Sequence, residues 1–270
     1  MKRIEALRKN KRIVIKIGTQ VLTSENNRLD VSVIEHIVEQ ICYLVKKKKI
    51  EVIIVTSGAI GAGMQVLGWK KRPESINRLQ AAASIGQSRL MRVYERLFKE
   101  EGLNVGQILL TRDVFVSKER EKIARETIST LLKLGVIPVI NENDSVAVDE
   151  IKFGDNDTLS SLVAILLGAD MLVILTDVDG LSKNDPKKDK YSSIIRNVKD
   201  FSKISDIVVG EISKQGRGGI QSKISAARHV VDSGICCIIL NGKKMWNLKK
   251  AVNGENIGTM FYPQNRRDIK

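Results

Sequence analysis

The sequence predicts an α/β protein, a single-domain three-layer sandwich on a central, mostly parallel sheet. Short β-branched runs recur that are apolar on both faces, as strands buried in a parallel sheet must be. Amphipathic helical stretches lie between them. No Pro- or Ser-rich linker, repeat or low-complexity tract divides the 270 residues.

The first strand is read at Arg12–Ile17. A crossover helix follows at Val31–Lys48, with Ile34, Ile37, Val38, Ile41, Leu44 and Val45 at helical spacing and Asp30 as its N-cap. Lys46 to Lys49 close it, where cations complement the helix dipole. Further strands are expected at Glu51–Thr56, Val105–Leu110, Val136–Ile140, Met171–Thr176 and Ile235–Leu240. The helices between them are expected at Ser75–Glu100, Glu119–Lys133, Thr158–Leu167 and Ile220–Ser233, giving repeated right-handed βαβ units.

Composition narrows the class. With 43% apolar and 28% charged residues and four prolines, the chain is neither disordered nor collagen-like. The cationic stretch Met1–Arg12 leads into a strand rather than an apolar signal core, so a cytoplasmic location is expected. The uncharged run Val52–Trp69 is interrupted by Gly58, Gly61, Gly63 and Gly68 and is not read as a membrane span. Cys42, Cys236 and Cys237 read as small core hydrophobes. His36 and His229 stand alone, without ligands at metal spacing.

The net charge of +14, 45 basic against 31 acidic residues, suggests an acidic partner, but its distribution matters more. Residues 1–50 carry 12 basic and 5 acidic side chains and residues 241–270 carry 7 and 2, whereas 141–160 holds six carboxylates against Lys152 alone. Aromatics are 4% and do not interleave with the cations, so a nucleic-acid platform is not expected.

Open parallel sheets bind ligands beyond the carboxyl ends of their strands. There the sequence reads Lys16-Ile17-Gly18-Thr19, Ser57-Gly58-Ala59-Ile60-Gly61-Ala62-Gly63, Asn141-Glu142-Asn143-Asp144 and Thr176-Asp177-Val178-Asp179-Gly180. Neither a dinucleotide fingerprint nor a Walker A loop is present. Gly216-Arg217-Gly218-Gly219-Ile220-Gln221-Ser222-Lys223 is either a phosphate-binding approach to a helix N-terminus, with Lys223 one turn in, or a surface loop. Lys16, ending an apolar strand, either snorkels outward or sits beside a ligand. Gly154-Asp155-Asn156-Asp157 is a cap box with one carboxylate more than capping needs, and Asp157 is placed to orient two lysines. Asn141 to Asp144 is either only a polar turn or part of the same site.

Taken in order, these segments resemble the amino-acid kinases, and within them the glutamate 5-kinase branch. The resemblance spans about Lys11 to Gly242. It rests on Val14-Ile15-Lys16-Ile17-Gly18-Thr19, Ile54-Val55-Thr56-Ser57-Gly58-Ala59-Ile60, Gly86-Gln87-Ser88-Arg89-Leu90 and Gly106-Gln107-Ile108-Leu109-Leu110-Thr111. It continues through Pro138-Val139-Ile140-Asn141-Glu142-Asn143-Asp144, Phe153-Gly154-Asp155-Asn156-Asp157 and Leu175-Thr176-Asp177-Val178-Asp179-Gly180-Leu181.

The resemblance implies ATP-dependent phosphorylation of the side-chain carboxylate of L-glutamate. Glutamate contacts fall on Ser57, Asp144 and Asn156, with Gly58 and Asn141 nearby. Asp144 would pair with the α-ammonium, while Ser57 and Asn156 would donate to carboxylate oxygens. ATP contacts fall on Lys16, Thr176, Asp177, Arg217, Gly218, Gly219, Ile220, Gln221, Ser222 and Lys223. Lys16 and Lys223 would clamp the transferring group as catalytic residues, with Asp157 holding them in place and Mg2+ riding on the phosphates. A glutamate-binding lobe over about 10–165 and an ATP-binding lobe over about 166–262 are expected.

Also implied are proline biosynthesis, feedback inhibition by proline, a reductase for glutamyl phosphate as partner, and a homo-oligomer, for which the helical surface Ser75–Leu97 is a candidate. Two departures stand out. The small C-terminal domain of the pseudouridine synthase and archaeosine transglycosylase kind (PUA) is expected to be missing, and Arg217 replaces a small hydroxylated residue. The competing readings are a kinase-fold relic that binds RNA and a kinase of the same fold acting on another acid.

Overall fold

A computed structural model describes residues 10–24, 28–147, 155–182, 193–204 and 219–263. Eight strands form one sheet: β1 Arg12–Ile17, β2 Glu51–Val55, β3 Asn104–Leu110, β4 Val136–Glu142, β5 Met171–Thr176, β6 Asn197–Val198, β7 Cys236–Asn241 and β8 Thr259–Phe261. Their order is β3-β4-β2-β1-β5-β7-β8-β6. From β3 through β7 every neighbouring pair is parallel; β8 runs antiparallel to β7 and carries β6 parallel to itself.

The helices are α1 Thr19–Leu22, α2 Val31–Lys48, α3 Ala59–Val66, α4 Ile76–Glu100, α5 Lys118–Lys133, α6 Asn156–Leu166, α7 Ile220–Asp232 and α8 Asn247–Val252. Two apolar layers hold them to the sheet. On one face Ile13, Ile15 and Ile17 of β1 pack with Ile34, Ile37 and Ile41 of α2 and with Tyr94 and Phe98 of α4. On the other, Val14, Ile53 and Ile174 meet Ile128 of α5, Val163 of α6 and Ala227 and Val230 of α7. Alternate residues of β1 thus enter opposite cores, which is why its sequence from Ile13 to Ile17 is apolar except at Lys16. Each fully buried Ile of this strand contributes about 1.5–3 kcal/mol relative to exposure.

The three-layer α/β sandwich is as the sequence predicts, with boundaries moved by a residue or two. Asp30 caps α2, its side chain accepting from the Val33 amide at 3.3 Å. Two differences have physical causes. The polar Asn141 and Glu142 are not a turn: they extend β4 and pair with Leu109 and Leu110 of β3. The glycine-rich stretch after β2 is a helix, α3, despite its poor intrinsic propensity. Tertiary packing makes it so, because α3 crosses α4 with backbone touching backbone. A Cβ on Gly63 would stand 1.7 Å from the Ala82 carbonyl oxygen, and one on Gly86 would stand 1.7 Å from that of Ala59. The strands β6 and β8 and the helix α8 were too short to be read from periodicity.

Cys42, Cys236 and Cys237 are buried free thiols, and burial pushes the first two up to about 11. Among the described residues no helix is long and apolar enough to cross a membrane.

Candidate active site

β1 lies at the middle of the sheet, with β2 on one side and β5 on the other, so the chain order reverses there and a crevice opens beyond the carboxyl ends of these strands. Lys16, one residue before the end of β1, is in register with Val55 of β2 and Ile174 of β5. It is 4% exposed, a lysine in the centre of an apolar sheet.

Its partner comes from α6. Asp155 caps that helix, its Oδ1 accepting from the Thr158 amide at 2.9 Å. Capping therefore leaves Asp157 spare, in the first helical turn, where the dipole favours a carboxylate. Asp157 is completely buried. Lys16 Nζ lies 2.5 Å from its Oδ1, and Lys223 Nζ lies 3.2 Å from its Oδ2. Ser222 Oγ donates to the same Oδ2 at 2.8 Å. Lys223 is 7% exposed, one turn into α7, whose N-cap is Gly219. Two ammonium groups, one from the central strand β1 and one from α7, are thus held by one carboxylate.

Burial lowers the pKa of Lys16, and Lys223 adds to the effect, with Asp157 opposing it. Burial alone would raise Asp157, but Lys16, Lys223 and the hydrogen bonds outweigh it and hold its carboxyl below the usual range. Asp157 is therefore ionised at any working pH. Gly18 keeps the space beside the Lys16 ammonium open: a Cβ there would stand 3.5 Å from Nζ and 3.3 Å from the Leu175 carbonyl oxygen.

Beside the lysines a chain of side-chain amides runs across the strand ends. Asn156 Nδ2 reaches the Thr56 carbonyl at 2.5 Å, Ser57 Oγ at 2.9 Å and Asn141 Oδ1 at 2.9 Å. Asn141 Oδ1 also accepts from the Glu142 amide, and Asn141 Nδ2 donates to Gln87 Oε1 at 2.9 Å. Thr56 Oγ1 pairs with the buried Tyr94 hydroxyl at 2.9 Å. Gly58, at φ +97, turns the chain from β2 into α3, a conformation that glycine takes without strain.

Sequence reasoning assigned Asn156 as a donor to a substrate carboxylate. Its amide hydrogens already face three protein acceptors, and the atom left over is Oδ1, an acceptor. Ser57 keeps a hydroxyl hydrogen to donate. Asp144 lies in the turn after β4, half-buried. Thr176, ending β5, is buried and Asp177 is exposed, with Thr176 Oγ1 donating to Asp177 Oδ1 at 3.2 Å. Gly219, Ile220, Gln221 and Ser222 form the approach to Lys223, at the start of α7. Gly154, Arg217 and Gly218 lie outside the described residues.

Gln87 and Tyr94 were missed. The signal for Gln87 was available: it falls on the buried stripe of α4 with Ala83, Leu90 and Tyr94, where a glutamine needs partners.

Comparison with known proteins agrees with this geometry. A profile described as the amino acid kinase family matches residues 11–241. A glutamate 5-kinase of Caldanaerobacter subterraneus subsp. tengcongensis is 49% identical over 253 residues, covering 93% of this chain and 68% of the relative. One from Clostridium acetobutylicum is 46% identical over 256 residues, covering 94% and 96%. Among solved structures, carbamate kinase from Giardia lamblia bound to AMP-PNP superposes with a TM-score of 0.66 at 19% identity, over 96% of this chain and 100% of that one. The UMP kinase of Bacillus anthracis gives 0.63 at 19% identity, over 95% and 97%. The family profile and the relatives show that the chain belongs to the amino acid kinase family, in the branch of the glutamate 5-kinases.

Proposed function

We propose that this protein transfers the γ-phosphoryl group of ATP to the side-chain carboxylate of L-glutamate, giving L-glutamyl 5-phosphate and ADP. The observation that carries the reading is the buried Lys16–Asp157–Lys223 cluster at the carboxyl ends of the central strands. A bond forms between a carboxylate oxygen and the γ-phosphorus as the bond to the β,γ-bridging oxygen breaks. Charge spreads over the phosphoryl oxygens in the transition state, and preorganised cations at that point do most of the catalysis. Lys16 and Lys223 supply them. Asp157 positions both without touching the reacting atoms.

A carboxylate acceptor with pKa about 4.3 arrives ionised, so no general base is needed. Ser57, Asp144, Asn156, Gly58 and Asn141 would receive the amino acid, in a lobe over about 10–165. Thr176, Asp177 and residues 217–223 would receive the nucleotide, in a lobe over about 166–262. Mg2+ would enter with the nucleotide, bound to its phosphates and water.

The same reading puts the reaction in the cytoplasm, at the start of proline biosynthesis, with a glutamyl phosphate reductase consuming the unstable product and proline inhibiting. A homo-oligomer would pair through the exposed side of α4, where Ile76 and Ile85 face outward.

The test is MgATP-dependent acyl-phosphate formation trapped with hydroxylamine, comparing L-glutamate, L-aspartate, N-acetylglutamate and no acceptor. Signal with glutamate alone is expected. Signal with another acid alone would transfer the reading to that substrate, and silence with all three would refute it.

A further inference from the structure

We infer that Gln87 binds the α-carboxylate of the amino-acid substrate through its carboxamide Nε2. The inference rests on the reading of the site as one that phosphorylates an acidic amino acid.

Gln87 is 8% exposed, on a helix face otherwise lined by apolar side chains. Half of its amide is satisfied. Oε1 accepts from Asn141 Nδ2, and the orientation is forced, because Asn141 Oδ1 is already engaged with the Glu142 amide and with Asn156. The other half is not: Nε2 is buried and has no hydrogen-bond partner among the described residues. An orphaned buried donor is costly to leave unmade, and a native fold keeps one where a ligand completes it.

The network ends in a second orphan of the opposite kind. Asn156 Oδ1 is buried without a partner among the described residues, while its Nδ2 is fully used. One connected set of amides therefore presents a spare donor at Gln87 and a spare acceptor at Asn156, joined through Asn141. A carboxylate and an ammonium, the two charges of a zwitterionic α-carbon, complement that pair.

Order along the network selects which carboxylate. Asn156 directly precedes Asp157 and its two lysines, Asn141 comes next, and Gln87 is last. The donor at the end away from the lysines meets the carboxylate that is not phosphorylated. The side-chain carboxylate then lies toward Lys16 and Lys223, with the ammonium at Asn156 between.

The deciding experiment measures KM for L-glutamate, for ATP and for L-isoglutamine, which carries an amide in place of the α-carboxylate, in the wild type and in Gln87→Glu. The substitution keeps an acceptor for Asn141 and puts an oxygen where the N–H stood. A tenfold or greater rise in the glutamate KM is expected, with the ATP KM within twofold of wild type. The wild-type preference for glutamate over isoglutamine is expected to narrow at least fivefold. A site built to hydrogen-bond a group rejects the analogue lacking it, and that rejection should vanish with the donor.

A purely structural role would move both KM values together and leave the preference unchanged, and either result overturns the inference. So does a glutamate KM within twofold of wild type. If Gln87→Glu does not fold, Gln87→Met is read the same way: a threefold or larger rise with a narrowed preference supports the inference, and an unchanged KM refutes it. A wild-type enzyme that phosphorylates no acidic amino acid would instead sink the functional reading, and this inference with it.

Discussion

Asp157→Asn would remove the carboxylate between two buried ammonium groups while conserving shape. At an effective dielectric constant of about 20, unit charges at 2.5 and 3.2 Å attract by roughly 7 and 5 kcal/mol. Most of that attraction offsets the desolvation of the three groups. The net cost of breaking such a buried cluster from one side is about 3–5 kcal/mol, because uncompensated charge stays behind. At about 2–4 °C per kcal/mol for a chain of this size, the variant should melt roughly 6–20 °C below wild type at pH 7.5 without nucleotide.

The sign of the pH dependence is fixed. Burial already lowers the pKa of Lys16 and Asp157 opposes that shift, so losing Asp157 favours the neutral amine and the deficit should shrink by pH 9.5. MgATP should raise the melting point of the variant more than that of wild type, since phosphate replaces the missing negative charge. Thermal melts by circular dichroism at the two pH values, with and without MgATP, decide the matter. A nucleotide-free melting point within about 2 °C of wild type at pH 7.5 would refute the view of Asp157 as the anchor of both lysines.

Lys223→Ala should lower kcat by about a hundredfold or more while shifting the melting point less than Asp157→Asn does, because Lys16 still pairs with Asp157; near-wild-type turnover would exclude Lys223 from the reacting centre. In the wild type, kcat/KM for ATP should be flat from about pH 6 to 8 and fall on the alkaline side below the ordinary lysine value of 10.5, as Lys16 loses its proton. An acid limb near pH 6–7 would call for a base that the mechanism does not contain. The contribution of Asp157 to stability is present above the unfolded carboxyl value of about 3.9 and is lost only as pH falls through its lower folded value. Gly86→Ala would drive a methyl into the Ala59 carbonyl and should cost at least the roughly 1–3 kcal/mol typical of overpacking, seen as a lower urea midpoint; an unchanged midpoint would show that α3 and α4 separate easily.

The sheet was legible because its strands are buried on both faces, so β2, β5 and β7 show uninterrupted apolar runs and that of β1 is broken only by Lys16. Lys16 was legible for the same reason: one cation in such a run has to be explained. α3 was not, since Gly61 and Gly63 argue against a helix and only its contact with α4 overrides them. The end of β4 read as a turn because Asn141 and Glu142 are strand-averse residues; long-range hydrogen bonds, one donated to Gln87 and one accepted from Asn156, hold Asn141 in place. Asp157 was legible as the carboxylate beyond what a cap needs, and the fold gives Asp155 to the helix end and Asp157 to the lysines. Gln87 lay within a motif but had no assigned role, because an unfilled donor is visible only when all its neighbours are placed.

The backbone contact between α3 and α4 ties together two parts of the proposed substrate site. α3 begins at Gly58, beside Ser57, and its first turn rests on Gly86, the residue before Gln87. With no side chain between the helices at either glycine, there is no compressible layer to let one slide on the other. Any widening of the proposed site would therefore carry Ser57 and Gln87 together, and a side chain larger than hydrogen at 63 or 86 would push the two helices apart and shift both.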